Sequence, residues 1–346
     1  MNVLPKLVLA LIAAGCIAGV TVPAAHAAGG DTITLRVHHP LPPAATGPAK
    51  FVGPWCEKIH KESNGRLECK IFPAMQLGGT PAQLFEQAKD GVVDVIWTIP
   101  NYQAGRFPVT EVFELPFIVQ SSESASRGIW NFIQRNGMAE YKGVKPLVFH
   151  LHDGNVLHTA KVPVRKLEDF RGLKLRAPTR QATRLISALG AAPVPMPLPQ
   201  TVESMSKGVI DGALAPWEVV TAIKLEEVAH HHTELPEGAA QMSNSVFMLG
   251  INQAKYDSLP PDLKKVIDNN SGPEVSAKVG RVFADSRAAG RQAAQARKNS
   301  FSTLSPDEYQ RWVKASEGVA EQWVKEVTAT GLDGRRLLKE AREAAR

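Results

Sequence analysis

The sequence predicts an α/β fold with two lobes, and two observations support this prediction. Segments with strand-like alternation of apolar residues alternate with segments of helical periodicity, which is the order found in α/β proteins. A short motif also occurs twice, because a predicted helix leads into Gly91-Val92-Val93-Asp94 and another leads into Gly208-Val209-Ile210-Asp211. Glycine at a helix end permits the left-handed conformation that turns the chain into a strand. The motif therefore indicates two related lobes, although a repeat this short can also arise by chance.

The first elements follow from local signals. The alternation from Thr32 to His38 predicts a strand, which a proline-rich stretch ends. Four elements are predicted next: a helix over 48–62, a strand over 67–72, a helix over 81–90 and a strand over 92–98.

The later elements are predicted in the same way. Strands are expected over 173–176 and 245–251, helices from about Pro260 to Asn299, and a further helical stretch after Pro306. His230-His231-His232 is interpreted as a polar helix end, because adjacent histidines point in different directions and do not match the i, i+4 spacing of a metal-binding pair.

The charge of the chain is mildly basic. The 346 residues carry a formal net charge of +6, and acidic residues are interspersed with the basic ones along most of the chain. Because no block of Lys and Arg occurs, we expect small anions as partners and no nucleic acid.

The N-terminus has the pattern of a cleaved signal peptide over residues 1–27. Lys6 precedes an apolar stretch over 7–22, and Ala25-His26-Ala27 provides the small residues of a cleavage site. We therefore expect export to the periplasm. The alternative is a lipoprotein acylated at Cys16, although Ala13 stands where such a motif normally has Leu.

Two cysteines remain after this segment. Cys56 lies in a predicted helix and Cys69 in the strand after the Asn64-Gly65 turn. In an oxidising compartment they are candidates for a disulfide, and two buried free thiols are the alternative.

Four segments resemble the substrate-binding subunits of tripartite ATP-independent periplasmic (TRAP) transporters of the dicarboxylate-binding type. The matching segments, in order, are 63–66 with 72–78, 90–94 with 113–117, 167–178, and 189–196 with 208–212. Each motif is weak alone, but together they cover most of the mature chain in register.

This resemblance implies a type II periplasmic-binding-protein fold, in which two α/β lobes joined by hinge strands close on the ligand and long helices end the chain. The implied lobes are 28–153 with about 241–281, and 154–240 with about 282–346. The implied partners are a small organic carboxylate and the small and large membrane subunits of a TRAP transporter. A monomer without enzymatic activity, cofactor or metal is expected.

Arg176 is the strongest candidate for ligand binding. In the matched motif the arginine at this position pairs with the ligand carboxylate. The chemistry agrees, because a planar guanidinium donates to both carboxylate oxygens in a way that lysine cannot. Arg176 also ends a predicted strand, and ligands of α/β sheets bind at strand ends.

Seven other residues are candidates because they follow or lie on predicted strands and offer aromatic or polar groups. Trp97 is alternatively a core residue, His39 a loop cap, and Phe247 a residue of the hinge. The full set is His39, Trp97, Asn101, Tyr102, Asn155, Trp217 and Phe247.

Departures from the family pattern bear on the ligand. Val156 stands where some members, such as those that bind sialic acid, have a second arginine, and Leu198 stands where an aromatic ring is frequent. A sugar acid would leave hydroxyl groups unpaired at about 1–3 kcal/mol each. The sequence therefore favours a more apolar acid, either aromatic or a 2-oxo acid.

Two alternatives belong to other functional classes. One is an exported enzyme acting on carboxylic acids, with Cys56 and His60 as a thiolate–imidazole pair at i, i+4. Nucleophile-elbow, phosphate-loop, CxxC and zinc-protease motifs are absent from the sequence. The other alternative is a sensory protein that uses the same fold to report a solute to a receptor.

Overall fold

The computed structural model describes residues 31–346, so the predicted signal peptide over 1–27, with Cys16, lies outside the described residues. The strands are β1 (Ile33–His38), β2 (Leu67–Phe72), β3 (Val95–Thr98), β4 (Val144–His150), β5 (Val156–Thr159), β6 (Lys174–Ala177), β7 (Ala192–Pro195), β8 (Gly212–Ala215), β9 (His231–Glu234), β10 (Phe247–Asn252) and β11 (Ser300–Thr303).

The helices surround these strands. They are α1 (Gly53–Glu62), α2 (Leu84–Lys89), α3 (Ser122–Asn136), α4 (Arg180–Ala188), α5 (Thr201–Ser206), α6 (Val220–Ile223), α7 (Gln253–Ser258), α8 (Pro261–Asn269), α9 (Pro273–Asp285), α10 (Arg287–Ala296), α11 (Pro306–Ala329) and α12 (Gly334–Ala344). Within 31–346, none of the helices combines the length and the apolar character that crossing a membrane requires.

The strands form two sheets, one in each lobe. The first has the order β2-β1-β3-β10-β4, and the second has the order β11-β9-β5-β8-β6-β7. Strands β1, β2 and β3 are parallel, as are β6, β7 and β8, and in each sheet one antiparallel strand follows. The two-lobe α/β prediction is thus confirmed, and both lobes have the same arrangement of three parallel strands.

The repeated glycine motif has the same local geometry in both lobes. Gly91 and Gly208 adopt φ values of 74° and 70°. The Asp94 carboxylate accepts a hydrogen bond from the backbone N–H of Arg36 at 2.7 Å, and the Asp211 carboxylate accepts one from Lys174 at 2.8 Å. Each aspartate therefore pairs with the central strand before its own strand begins, which is why β3 starts at Val95 and not at residue 92 as predicted.

The chain passes between the lobes at two connections that lie side by side. The connection 151–155 joins β4 to β5, and the connection 235–246 joins β9 to β10. Asn155 is bonded to Ser243 through its backbone N–H and its side-chain amide, both at 2.9 Å. These two connections, held together by hydrogen bonds, form the strand part of the hinge.

The C-terminal helices also join the lobes. Trp312 of α11 packs in the core of the second lobe, whereas Trp323 packs in the first lobe and donates to the Pro108 carbonyl at 2.9 Å. Helix α12 then packs on α3 of the first lobe, burying Leu337 and Ala341. The lobe boundaries stay a prediction, but this last helix lies on the first lobe although the sequence assigned all of 282–346 to the second.

The interpretation of His230-His231-His232 as a helix end is wrong. His231 and His232 lie on β9, where His232 is opposite His158 of β5. The two rings are hydrogen-bonded between their Nδ1 atoms at 2.7 Å, and both are buried beside Trp217. Burial between neighbouring strands, which local periodicity does not report, decides the conformation of this segment.

Cys56 and Cys69 form a disulfide that ties α1 to β2, with their Cα atoms 5.8 Å apart. Helix and strand are consecutive elements of the first lobe, so the bridge closes a short loop at its edge.

Removing the disulfide is expected to lower the free energy of unfolding by about 3 kcal/mol, because the bridge limits the conformational freedom of the unfolded chain. The measurement is urea unfolding of a Cys56→Ala, Cys69→Ala variant beside the wild type, each with and without a thiol reductant. Reductant should lower the midpoint of the wild type alone, and an insensitive wild-type midpoint would contradict the prediction.

Candidate functional site

A small cavity lies where the two lobes meet, at the ends of several strands. Its lining is mostly apolar and includes three prolines, and its volume is about 30 Å³, room for a water molecule or two. The lining residues are Pro40, Leu41, Ile99, Tyr102, His152, Asn155, Arg176, Pro178, Leu198, Pro216, Glu218, Val219, Ser245 and Phe247.

Arg176 supplies the positive charge of this cavity. It lies near the end of β6 with only 2% of its surface exposed. Its guanidinium donates to the backbone carbonyls of Met196, at 3.0 Å, and Leu214, at 2.7 Å. Among the described residues no carboxylate forms an ion pair with it, and burial lowers its pKa. The site therefore holds a desolvated cation that neutral carbonyls orient but do not neutralise.

Phe247 forms an aromatic wall of the cavity from the first lobe. Its ring stacks on Trp97 and on His150, with centroids 4.9 Å away in both cases. Trp97 and His150 are nearly coplanar, and the indole N–H donates to the His150 Nε2 at 2.9 Å. Burial lowers the pKa of His150 to about 3, so its ring stays neutral and able to accept this bond. This buried pair fixes the plane of Phe247.

The other ionisable groups of the lining are uncharged near neutral pH. Burial raises the pKa of Glu218 to about 8, which the Thr46 hydroxyl and the charge of Lys50 only partly offset. Burial also raises the pKa of the Tyr102 phenol, against the opposing effect of the nearby Arg176. Burial lowers the pKa of His152 to about 3. Because these groups are neutral, Arg176 determines the charge of the cavity.

Half of the predicted ligand-binding residues line the cavity, namely Arg176, Tyr102, Asn155 and Phe247. The other half do not line it, namely His39, Trp97, Asn101 and Trp217. Trp97 supports Phe247, and His39 meets the Trp97 ring edge-on at 6.2 Å. Asn101 is buried beside Glu114, and the Trp217 indole donates to Glu234 at 3.0 Å.

Sequence reasoning missed His152 and Glu218. Glu218 adjoins the predicted Trp217, but the chain makes a tight turn over Trp217–Val219, and it is Glu218 that lines the cavity. His152 is the second residue after β4, close to the predicted Asn155. Its position just after a strand end could have identified His152 from the sequence, because the same feature made His39 a candidate.

An ion pair between a buried carboxylate and a partly buried arginine crosses between the lobes. Glu111 of the first lobe is fully buried and accepts from both Nε and Nη2 of Arg180, the first residue of α4. Gln181 also donates to this carboxylate, at 2.8 Å. Arg180 and Arg184 in turn pair with Glu326 of α11. Helix α4 of the second lobe is therefore held to the first lobe by charge-assisted hydrogen bonds.

Two other features do not form a comparable site. A larger groove of about 1140 Å³ lies between α11, α12 and the loop 116–120, but its charged residues, such as Lys339 and Glu317, are exposed to solvent. The proposed thiolate–imidazole pair is not formed, because Cys56 is in the disulfide and the His60 Nδ1 lies 2.9 Å from the Leu67 carbonyl.

Comparisons with solved structures give close matches over most of the chain. A TRAP solute-binding protein from Rhodoferax ferrireducens T118, crystallised with copurified benzoate, is 44% identical with a TM-score of 0.90, and the match covers 91% of this chain and 98% of that one. A marine metagenome TRAP solute-binding protein specific for aromatic acid ligands, in complex with 3-hydroxybenzoate, is 37% identical with a TM-score of 0.89 and the same coverage.

A third structure is more distant. A TRAP periplasmic solute-binding protein from Bordetella bronchiseptica with bound (R)- and (S)-mandelate is 28% identical with a TM-score of 0.83, covering 90% of this chain and 98% of that one. These matches confirm that this chain has the predicted two-lobe fold of the TRAP solute-binding proteins. The family model described as "Bacterial extracellular solute-binding protein, family 7" matches residues 42–326. The chain therefore belongs to family 7 of the bacterial extracellular solute-binding proteins.

Proposed function

We propose that this protein captures an aromatic monocarboxylate in the periplasm and delivers it to the membrane subunits of a TRAP transporter. The observation that carries the proposal is the buried Arg176, which has no carboxylate partner among the described residues and lines a largely apolar cavity. A buried charge without a counter-charge is unfavourable, and a ligand carboxylate would compensate it.

The rest of the cavity favours a ring over a sugar. Its apolar wall consists of Leu41, Ile99, Leu198, Val219 and Phe247. A flat ring would bury its area against these side chains and stack on or meet the edge of Phe247, whose plane is already fixed. The hydroxyl groups of a sugar acid would meet few donors or acceptors here. The benzoate and 3-hydroxybenzoate complexes of the two similar proteins support this choice.

Capture requires the lobes to move. A cavity of about 30 Å³ is too small for an aromatic acid to enter without separation of its walls. In the proposed cycle the open form exposes Arg176, the carboxylate pairs with it, and closure brings α4 back to Glu111. The ligand shifts the population toward the closed form, which is then the form recognised by the membrane subunits.

The proposal is tested by thermal unfolding of the mature protein, refolded to remove any copurified ligand, against aromatic acids, 2-oxo acids, aliphatic diacids and sugar acids. A ligand at about a hundred times its Kd adds about 2.7 kcal/mol of stability, a shift of several degrees. Stabilisation by sugar acids alone would contradict the proposed ligand class.

Replacing Arg176 is expected to abolish binding. Removing one partner of a buried, hydrogen-bonded charge pair costs about 2–5 kcal/mol, so the Kd for benzoate should rise at least about thirtyfold in Arg176→Met. Arg176→Lys should recover little, because an ammonium group does not reproduce the planar pair of donors. The Kd of each variant for benzoate is measured by isothermal titration calorimetry.

The matched control is Arg171→Met, which removes an exposed arginine of the same lobe. It should bind benzoate as the wild type does. Unchanged affinity in Arg176→Met, with the fold intact by circular dichroism, would show that the carboxylate binds elsewhere.

Ligand affinity is expected to depend on pH through Glu218. Burial raises its pKa to about 8, so the group is neutral below that pH and becomes an anion above it. The anion would repel the ligand carboxylate, so the Kd for benzoate should be constant from pH 6 to 7 and rise above pH 8, by at most about tenfold per pH unit. Glu218→Gln should remove this dependence. A wild-type affinity that does not change up to pH 9 would contradict the assignment.

Breaking the pair between Glu111 and Arg180 should favour the open form. In Arg180→Ala the buried Glu111 carboxylate loses its cation in the closed form, at a cost of about 3–5 kcal/mol, whereas opening lets water solvate it. Benzoate should bind at least about tenfold more weakly and dissociate faster, and small-angle scattering should show a larger radius of gyration.

Glu111→Gln combined with Arg180→Ala should recover part of the affinity, because the buried charge is then gone. Arg127→Ala is the control, since its exposed pair with Glu274 joins α3 and α9 within the first lobe. Equal affinities in all four proteins would indicate that the pair does not contribute to closure.

A further inference from the structure

We propose that His152 is a second ligand-binding residue, whose Nδ1–H donates a hydrogen bond to the carboxylate held by Arg176. This inference rests on the proposed function and identifies a second donor at the same site.

His152 is held firmly at the edge of the cavity. It lies on the connection 151–155 with 2% of its surface exposed. Its backbone carbonyl accepts from the Ser122 hydroxyl at 2.6 Å and from the Asn244 side-chain amide at 3.0 Å. The backbone of His152 is thus fixed from two directions at the junction of the lobes.

The tautomer of the ring follows from its neighbour Ser245. The backbone N–H of Ser245 is shared between the Asn244 Oδ1, at 2.9 Å, and the His152 Nε2, at 3.2 Å, and a backbone amide can only donate. Nε2 is therefore the acceptor and the neutral ring carries its proton on Nδ1. Burial, together with the nearby His150 ring and the Arg176 cation, keeps the pKa of His152 near 3, so this form persists at neutral pH.

The Nδ1–H is a buried donor without an acceptor among the described residues. The Gly154 carbonyl opposes the lowering of the His152 pKa, but it does not meet the geometry of a hydrogen bond to Nδ1. Several other buried side-chain atoms of residues 31–346 also lack partners, but their residues do not line the cavity: they belong to His39, Arg66, Thr98, Asn101, Glu114, Thr201 and Glu226. Among the residues of 31–346 with such buried, unpaired side-chain atoms, His152 is therefore the one that lines the cavity.

The position of this donor agrees with that of Arg176. The guanidinium is near enough for its charge to lower the pKa of His152. A carboxylate between the two residues would receive hydrogen bonds from both, which satisfies the buried N–H and neutralises the buried cation. Because Ser245 belongs to the second connection between the lobes, the ligand would also be linked through one imidazole to both hinge connections.

Two amide variants test the role of each ring nitrogen. The amide nitrogen of asparagine can take the place of Nδ1, so His152→Asn keeps a donor for the ligand and gives up the bond from Ser245. The longer His152→Gln places its oxygen near Nε2, so it keeps the bond from Ser245 and gives up the donor. If His152 binds the ligand, the Kd for benzoate should rise at least about tenfold in His152→Gln and less in His152→Asn.

A purely structural role predicts the reverse order, with His152→Gln close to the wild type, and that result would overturn the inference. His60→Gln, at an exposed position of α1, is the control and should bind as the wild type does. Unfolding of each variant without ligand shows whether a loss of affinity comes from a loss of fold.

Nitrogen-15 spectra of the histidine rings provide an independent readout. In the free protein the His152 ring should be the neutral Nδ1–H tautomer, and its Hδ1 resonance should move downfield with benzoate. An Nε2–H tautomer, or an Nδ1–H resonance that benzoate does not move, would overturn the inference. If the wild type binds none of the aromatic acids, both this inference and the proposed function fail. If it binds them and only the His152 results disagree, the proposed function stands.

Discussion

The site is organised around the buried charge of Arg176, which has no ion-pair partner within residues 31–346. Backbone carbonyls of Met196 and Leu214 orient the guanidinium from the second lobe, but a carbonyl dipole does not neutralise a cation. The other ionisable groups of the lining, Glu218 and His152 among them, are held neutral by the same burial. The result is a cavity with a net positive charge that only an anion brought from outside can balance.

The two lobes contribute different things to this cavity. The second lobe supplies the charge, whereas the first supplies Phe247, whose plane is set by the hydrogen-bonded pair of Trp97 and His150. A ligand with a carboxylate and a ring is therefore complementary to both lobes at once. In the proposed cycle this division couples closure to recognition, since the cation and the aromatic wall come from different lobes.

The lobes nevertheless share a construction. Each contains three parallel strands in the same order, and Asp94 and Asp211 make equivalent contacts to the central strand. The shared frame places strand ends from both lobes at the cleft. Differences at those ends, such as Phe247 on one side and Arg176 on the other, then determine what is bound.

Several features could be predicted from the sequence by itself because they depend on local signals. Helix and strand periodicity predicted the α/β class. Arg176 was identified mainly by the resemblance of its motif to that of the TRAP binding subunits, and its place at a strand end before Pro178 agreed with this. The remainder depended on packing between distant segments. Trp97 and Trp217 do not line the cavity, whereas His152 and Glu218 line it, and α12 lies on the first lobe. Periodicity shows which face of an element is apolar, but not which other element covers it. The charge state of Glu218 and the tautomer of His152 depend on which other elements bury these side chains, so only the tertiary structure decided them.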